Sequence, residues 1–240
     1  MLIGGLEKLS LIDFPGEIAA VIFTRSCNFR CHFCYNPMLV LAPGEGEIKY
    51  KEEDLFSITE EDLFLFLKER QGKLSGVVIS GGEPTLQTDL KEFIKKIKVM
   101  GFKVKLDSNG TNPEILEDLI RENLLDYIAM DFKAPLNKYE KVVGAKVDIG
   151  KIKKSLDLLR KDLVLHEFRS TLVPGLHDLN DLIIMSEEIA GSSAWFLQRF
   201  ISNTNLVNPG FQGLEAFKIK DIEEILKKVH KNTPNCQIRE

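Results

Sequence analysis

"CNFRCHFC", residues 27–34, gathers three of the four cysteines of a 240-residue chain into eight positions, while Cys236 lies more than two hundred residues away. Cys27 stands three residues beyond "IAAVIFT" (18–24), an apolar, β-branched run of the kind that forms a buried strand. Five more such runs follow: "GVVIS" (76–80), "FKVKLDS" (102–108), "DYIAMDF" (126–132), "LHEFRSTLV" (165–173) and "AWFLQRF" (194–200). Amphipathic stretches separate them, and strands alternating with helices are the pattern of a parallel sheet built from βα units. Six units in one domain over residues 1–240, with a core at 17–200, predict a partial (β/α)6 barrel. An open Rossmann-like sheet is the alternative. By analogy with the complete eight-unit barrel, functional groups belong at the C-terminal strand ends, where the cysteine stretch sits.

The helices between the strands show their ends. "TEEDLFLFLKERQG" offers Thr59 as a cap, Asp62 three residues later and Gly72 as a stop. "TDLKEFIKKIKVMG" offers Thr88 and Gly101, and "NPEILEDLIREN" offers Asn112 with Pro113 at the first helical position. Later helices are expected over 151–161, 178–190 and 220–231. The least regular stretch, "NPMLVLAPGEGEIKYKEED" (36–54), directly follows the cysteines, and a connection of that length is usually disordered or functional.

A hydrophobic fraction of 44%, a charged fraction of 28% and a formal charge of −4 describe a globular chain without the basic footprint of a nucleic-acid binder. The opening "MLIGGLEKLSLIDFPGE" lacks a signal-peptide pattern, apolar runs such as "IAAVIF" are too short to span a bilayer, and the cysteines do not form a disulfide framework. These features point to a reducing cytoplasm.

Three soft thiolates suit three irons of a cubane cluster, leaving the fourth iron open to an outside ligand. The alternative is a zinc site completed by His32 or Cys236. "SGGEP" (80–84) ends the second strand; its glycines would let backbone approach a ligand, and Glu83 would suit an ammonium group. "LDSNG" (106–110) and "MDFK" (130–133) end the third and fourth strands, with Asp131 and Lys133 alternating onto one face. His177 in "GLHD" reads as a cap or surface residue, and Cys236 as a small buried or surface residue.

The C-x3-C-x2-C spacing after the first strand, with Phe33 before the third cysteine, resembles the radical S-adenosylmethionine superfamily. "SGGEP", the D-[ST]-N-G segment at Asp107, Ser108 and Asn109, and the D-x-K segment at Asp131 and Lys133 resemble its glycyl-radical-enzyme activase branch. "SLIDFPG" before the first strand is similar to the activating proteins of anaerobic ribonucleotide reductases, and the likeness runs over roughly residues 8 to 200. The resemblance implies a 4Fe–4S cluster on Cys27, Cys31 and Cys34, and S-adenosylmethionine bound with its amino group at Gly81, Gly82 and Glu83 and its carboxylate at Lys133. It further implies cofactor contacts from Phe33, Asp107, Ser108, Asn109, Asp131, Arg169 and Val173, with the Pro174–Gly175 turn against adenine. Reductive cleavage of the cofactor would give a 5′-deoxyadenosyl radical that takes hydrogen from a glycine of a partner enzyme.

The implied partners are a glycyl radical enzyme, most naturally an anaerobic ribonucleotide reductase, and a flavodoxin or ferredoxin as electron donor. The partner's loop would enter the open side of a six-unit barrel and meet the 36–54 segment and the strand-six end. "LQRF" departs there from activases that carry a histidine, so the roles of Gln198 and Arg199 stay open, as does a monovalent cation beside Asp107 and Asp131. Two other readings are a radical enzyme acting on a small molecule of the deazapurine-precursor type, and a zinc-stabilised binding module.

Overall fold

A computed structural model of the chain describes residues 1–41 and 58–239. Most of the 36–54 connection therefore lies outside the described residues. Among the described residues eight strands form one sheet in chain order: β1 (Ile3–Ser10), β2 (Ala19–Thr24), β3 (Gly76–Gly81), β4 (Lys103–Ser108), β5 (Tyr127–Asp131), β6 (Leu165–Leu172), β7 (Trp195–Arg199) and β8 (Cys236–Arg239). β2 to β7 are the six strands expected from sequence. β1 adds to them antiparallel to β2, and β8 adds parallel to β7, so the sheet is open, with β1 and β8 as its end strands. This is an α/β fold of the partial-barrel class. The chain gathers into two compact units, the first of residues 1–28, 38–108 and 114–129, the second of 29–37, 109–113 and 130–240.

In the first unit β2, β3 and β4 pair in parallel with aligned registers, Val21 beside Val78 and Val78 beside Lys105. Phe14, Ala19, Val21 and Val78 pack together on that face, with Phe23 and Tyr127 against them. α1 (Pro37–Val40) is a single turn. α2 (Glu60–Arg70) starts as expected, the Asp62 N–H donating to Thr59 Oγ1 at 3.0 Å, one of the orphan donors that every helix start must satisfy. α3 (Leu90–Val99) buries Leu90, Phe93, Ile94 and Ile97, side chains that each contribute about 1.5–3 kcal/mol when removed from water. Its cap is not Thr88. The helix opens at Leu90 with Asp89 in the cap position, and the Asp89 carboxylate is turned instead to the Met1 amino group. α4 (Pro113–Arg121) begins at the expected proline.

In the second unit β6, β7 and β8 pair in parallel. Buried Trp195 donates its indole N–H to Ser170 Oγ at 2.9 Å, and Arg239 forks onto both oxygens of buried Glu167 at 3.1 Å while stacking on Phe196. That fork ties β8 to β6. α5 (Tyr139–Val143) ends at Gly144, where a φ of 64° and the 2.5 Å that would separate an added Cβ from the Arg30 carbonyl oxygen exclude a side chain. α6 (Ile149–Leu159) is capped by Asp148, and α7 (Asp181–Glu188) and α8 (Ile219–Val229) occupy the other expected helical stretches.

Candidate active site

The residues singled out by sequence fall into two sets, one in each unit. In the first, the chain leaves β2 and reaches Cys27 through Ser26, a non-glycine residue at φ 73°. The end of β3 is laid against this passage: the Gly82 N–H donates to Thr24 O at 2.9 Å and the Glu83 N–H to Ser26 O at 2.8 Å. A Cβ on Gly81 would stand 2.4 Å from Thr24 N, and one on Gly82 2.0 Å from Ser26 O. The close approach these two glycines permit is therefore to the chain's own backbone at the entrance to the cysteine loop.

Glu83 is fully buried. Its Oε1 accepts from Thr85 N (3.1 Å), Thr85 Oγ1 (2.5 Å) and Ser108 Oγ (2.9 Å), so the carboxylate caps the 3-10 turn Pro84–Leu86 and is locked in orientation. Asp107 is held as firmly: Ser80 Oγ donates to Oδ2 at 3.0 Å and Lys105 Nζ to Oδ1 at 2.5 Å. Lys105, 1% exposed, is a charged residue that the sequence reading passed over.

In the second unit Cys31 is buried and Cys34 half-buried, joined by a turn in which Cys34 N–H donates to Cys31 O at 3.0 Å. Three outside segments pin the loop. Arg30 N–H donates to Val143 O at the end of α5, Val207 N–H donates to Cys34 O, and Asn208 N–H donates to His32 O. His32 also stacks on Phe211 at 5.4 Å, and the Tyr35 hydroxyl accepts from Ile201 N–H at 2.9 Å.

Burial pushes the Cys34 thiol up, while the Asn36 backbone N–H and the Lys133 ammonium pull it down. Phe33 is buried, with Lys133 Nζ 6.0 Å from its ring centre. Lys133 Nζ lies 2.9 Å from Asp131 Oδ2, and Arg169 Nε lies 3.1 Å from Oδ1. Burial alone would raise the Asp131 carboxyl, but the two cations outweigh it and hold it at about 2. Burial would likewise lower Lys133, and Asp131 with the nearby thiols of Cys31 and Cys34 keeps it above the ordinary lysine range. The buried Tyr139 hydroxyl accepts from Lys133 N–H at 3.3 Å.

The remaining expected residues also lie in the second unit. Asn109 is buried and its Oδ1 accepts from Thr111 N and Oγ1, an Asx turn that closes the strand end. Val173 is buried and donates its N–H to His177 Nδ1 at 3.1 Å. His177 is not a surface residue: it is 6% exposed, and its Nε2 donates to Lys133 O at 2.8 Å, tying the D-x-K segment to the turn after β6. Gln198 is half-buried, its Oε1 3.5 Å from Thr171 Oγ1, and Arg199 is exposed.

None of the four cysteines is in a disulfide. The Cys236 thiol, buried in β8, is pushed up to about 12, which makes it a poor thiolate. Cys34 is raised by burial as well, but unlike Cys236 it has a backbone donor and a lysine beside it that offset part of that effect. Among the described residues no three His, Cys, Asp or Glu side chains form a single-ion cage. A cubane asks for a different arrangement, with each thiolate on its own iron, and the donor chemistry of the loop fits it.

The sequence profile of the Radical SAM superfamily matches residues 21–182, and the chain belongs to that superfamily. It is a radical S-adenosylmethionine enzyme with the cofactors of that class, a 4Fe–4S cluster and S-adenosylmethionine. Among its relatives, a Methanocaldococcus jannaschii protein carrying the provisional name glycyl-radical enzyme activating enzyme MJ1227 is 35% identical over 99% of this chain and 95% of its own length. The pyruvate formate-lyase-activating enzyme of Listeria monocytogenes is 33% identical over 53% of this chain and 51% of its own. In fold, the crystal structure of Streptococcus suis SuiB bound to S-adenosylmethionine is similar with a TM-score of 0.66 at 12% identity, covering 92% of this chain and 50% of that one.

Proposed function

We propose that this enzyme is an activase that installs a glycyl radical in a partner enzyme, an anaerobic ribonucleotide reductase. The observation that carries the reading is the similarity to MJ1227, 35% identical along nearly the whole of both chains. The choice of reductase rests on the "SLIDFPG" segment (10–16). When bound, the cluster would supply one electron for carbon–sulfur cleavage of S-adenosylmethionine, the chemistry that provides the power to remove a hydrogen atom from a glycine Cα.

The chain's own residues bind and orient. Cys27, Cys31 and Cys34 hold the cluster. Glu83, fixed by Thr85 and Ser108, receives the amino group of the cofactor, with Gly81 and Gly82 setting the backbone there. Lys133 receives the carboxylate, and Asp131 aims Lys133 while Arg169 steadies Asp131. Asp107, Ser108, Asn109, Phe33 and Val173 are the further cofactor contacts of this reading. A flavodoxin or ferredoxin delivers the electron, in the cytoplasm. Among the described residues no helix is long and apolar enough to cross a membrane.

The test is anaerobic: reduced, cluster-loaded protein and S-adenosylmethionine are mixed with the reductase of the same cell. A glycyl radical doublet by electron paramagnetic resonance, and transfer of deuterium from that glycine Cα into 5′-deoxyadenosine, are the expected results. Cofactor cleavage without label transfer, with a reductase that another activase can charge, would replace this reading with a small-molecule substrate.

A further inference from the structure

Among the described residues of the first unit, three charged side chains are buried: Glu83, Asp107 and Lys105. The two carboxylates belong to strand-end motifs, and the lysine belongs to none. Its stem rises from an apolar layer, because Lys105 is in register with Val78, which packs on Phe14, Ala19 and Val21. A valine there would fill the layer at no electrostatic cost, whereas an ammonium must be paired to be tolerated. Lys105 reaches two residues forward along β4 to Asp107 Oδ1 at 2.5 Å, and Ser80 donates to the other carboxylate oxygen at 3.0 Å.

A cation stabilises a buried carboxylate, and there are two sources: an alkali ion from solution or an ammonium on the chain. Here the ammonium already holds one carboxylate oxygen and the Ser80 hydroxyl the other, so an ion taking either of those positions would have to displace Nζ or the serine. A tethered cation also competes at a far higher effective concentration than a dissolved one. We propose that Lys105 is the resident cation of the β4 strand end, a positioning residue that aims Asp107 for the cofactor, so that S-adenosylmethionine binding by this protein requires no added sodium or potassium. The inference rests on Asp107 belonging to the cofactor pocket.

The experiment compares S-adenosylmethionine binding to cluster-loaded protein in sodium, potassium and choline chloride at equal ionic strength. Wild type is expected to bind equally in all three, and a loss of about tenfold or more in choline would overturn the proposal. Lys105→Met is expected to bind about tenfold or more weakly in choline and to recover in sodium or potassium, since a lone buried carboxylate recruits a cation. Lys105→Met binding like wild type in choline would also overturn it.

A readout without cluster or cofactor separates this inference from the functional reading. Unloaded Lys105→Met should broaden the sodium-23 resonance saturably, and the wild type and Lys105→Met/Asp107→Asn should not. The double variant removes both charges and so should fold even where the single variant does not. A sodium response in the double variant or in wild type counts against Lys105. A chain that never takes up a cluster counts against the functional reading and leaves the sodium result standing.

Discussion

Gly82→Ala puts the contact between the end of β3 and the cysteine loop to a quantitative test. The added methyl would sit 2.0 Å from Ser26 O and 2.7 Å from its carbonyl carbon, both backbone atoms that no side-chain rotation can clear. Reaching ordinary contact, roughly 3.3 Å or more, means separating the two segments by over an ångström. Yet the same segments are tied on either side of the clash by hydrogen bonds of 2.9 and 2.8 Å, and a shift of that size takes both beyond about 3.5 Å, where they no longer count as bonds. Each buried group left unpaired costs about 1–3 kcal/mol, and overpacking that is not relieved costs about the same. The expected loss is about 3–5 kcal/mol, a large part of the roughly 5–15 kcal/mol that holds a typical domain together.

Gly101→Ala is the control. Gly101 also has a positive φ, 90°, but nothing lies within 4 Å of its Cβ position, so only the left-handed backbone penalty of about 1–2 kcal/mol applies. Both variants are unfolded in urea, metal-free and under argon, and followed by far-ultraviolet circular dichroism. Iron content after reconstitution is measured in parallel. Gly82→Ala should lose about 1–4 kcal/mol more than Gly101→Ala and should retain less iron, because the displaced backbone leads directly to Cys27. Equal losses in the two variants would refute the packing argument. A large loss with full iron content would refute its link to the cysteine loop.

The cluster ligands are checked by iron and sulfide content: alanine at Cys27, Cys31 or Cys34 should abolish loading, and alanine at Cys236 should leave it intact. Glu83→Gln and Lys133→Met should each weaken S-adenosylmethionine binding by about 1.5–3 kcal/mol while iron content holds, as loss of one charge-assisted contact implies; unchanged isotherms in both would remove these residues from the pocket. His177 gives a pH signature. Burial lowers its pKa below the ordinary 6.5, so the folded state binds fewer protons than the unfolded one. Its stabilising contribution is complete above that value and is lost as pH falls below it, and His177→Gln should flatten the stability profile below about pH 6.5 relative to wild type.

The six central strands are legible because each is a run of β-branched or aromatic residues long enough to be buried on both faces, as in "AAVIFT" and "GVVISG". The two end strands are not. β1 contains a glycine pair and exposed Glu7 and Lys8, and its pairing with β2 shifts register twice, so neither alternation nor propensity marks it. β8 is four residues, "CQIR", held by the Arg239 fork onto a glutamate 72 positions earlier. The cysteine spacing and the strand-end motifs were readable because each occupies a few adjacent positions. What sets their geometry is contributed from far along the chain: Val207 and Asn208 on the cysteine loop, and His177 on the Lys133 carbonyl. A lone histidine in "GLHD" carries no local sign of that bond.

Lys105 shows the limit most plainly, since Lys103 and Lys105 share the parity of Asp107 in "KVKLDS" and only the fold buries one and exposes the other. The order of the pair along the strand then decides what it can do. In β4 the lysine precedes the aspartate by two residues, so the ammonium reaches forward out of the apolar layer and ends beneath the carboxylate, with Lys105 2% and Asp107 11% exposed in their side chains. At the end of β5 the order is reversed: Lys133 follows Asp131, and both are more open, at 18% and 27%. The same i, i+2 pairing thus yields a cation sealed inside the protein in one case and a cation presented beyond the strand in the other. Their removal should therefore separate cleanly. Lys133→Met leaves Asp131 its Arg169 partner, so the unloaded protein should keep most of its stability while cofactor binding falls. Lys105→Met takes the ammonium from a buried carboxylate, and the unloaded protein itself should weaken, by up to about 3–5 kcal/mol in choline, before any cofactor is added. If the two variants destabilise the unloaded protein equally, strand order does not sort these lysines, and the assignment of Lys133 to the ligand and Lys105 to the protein fails with it.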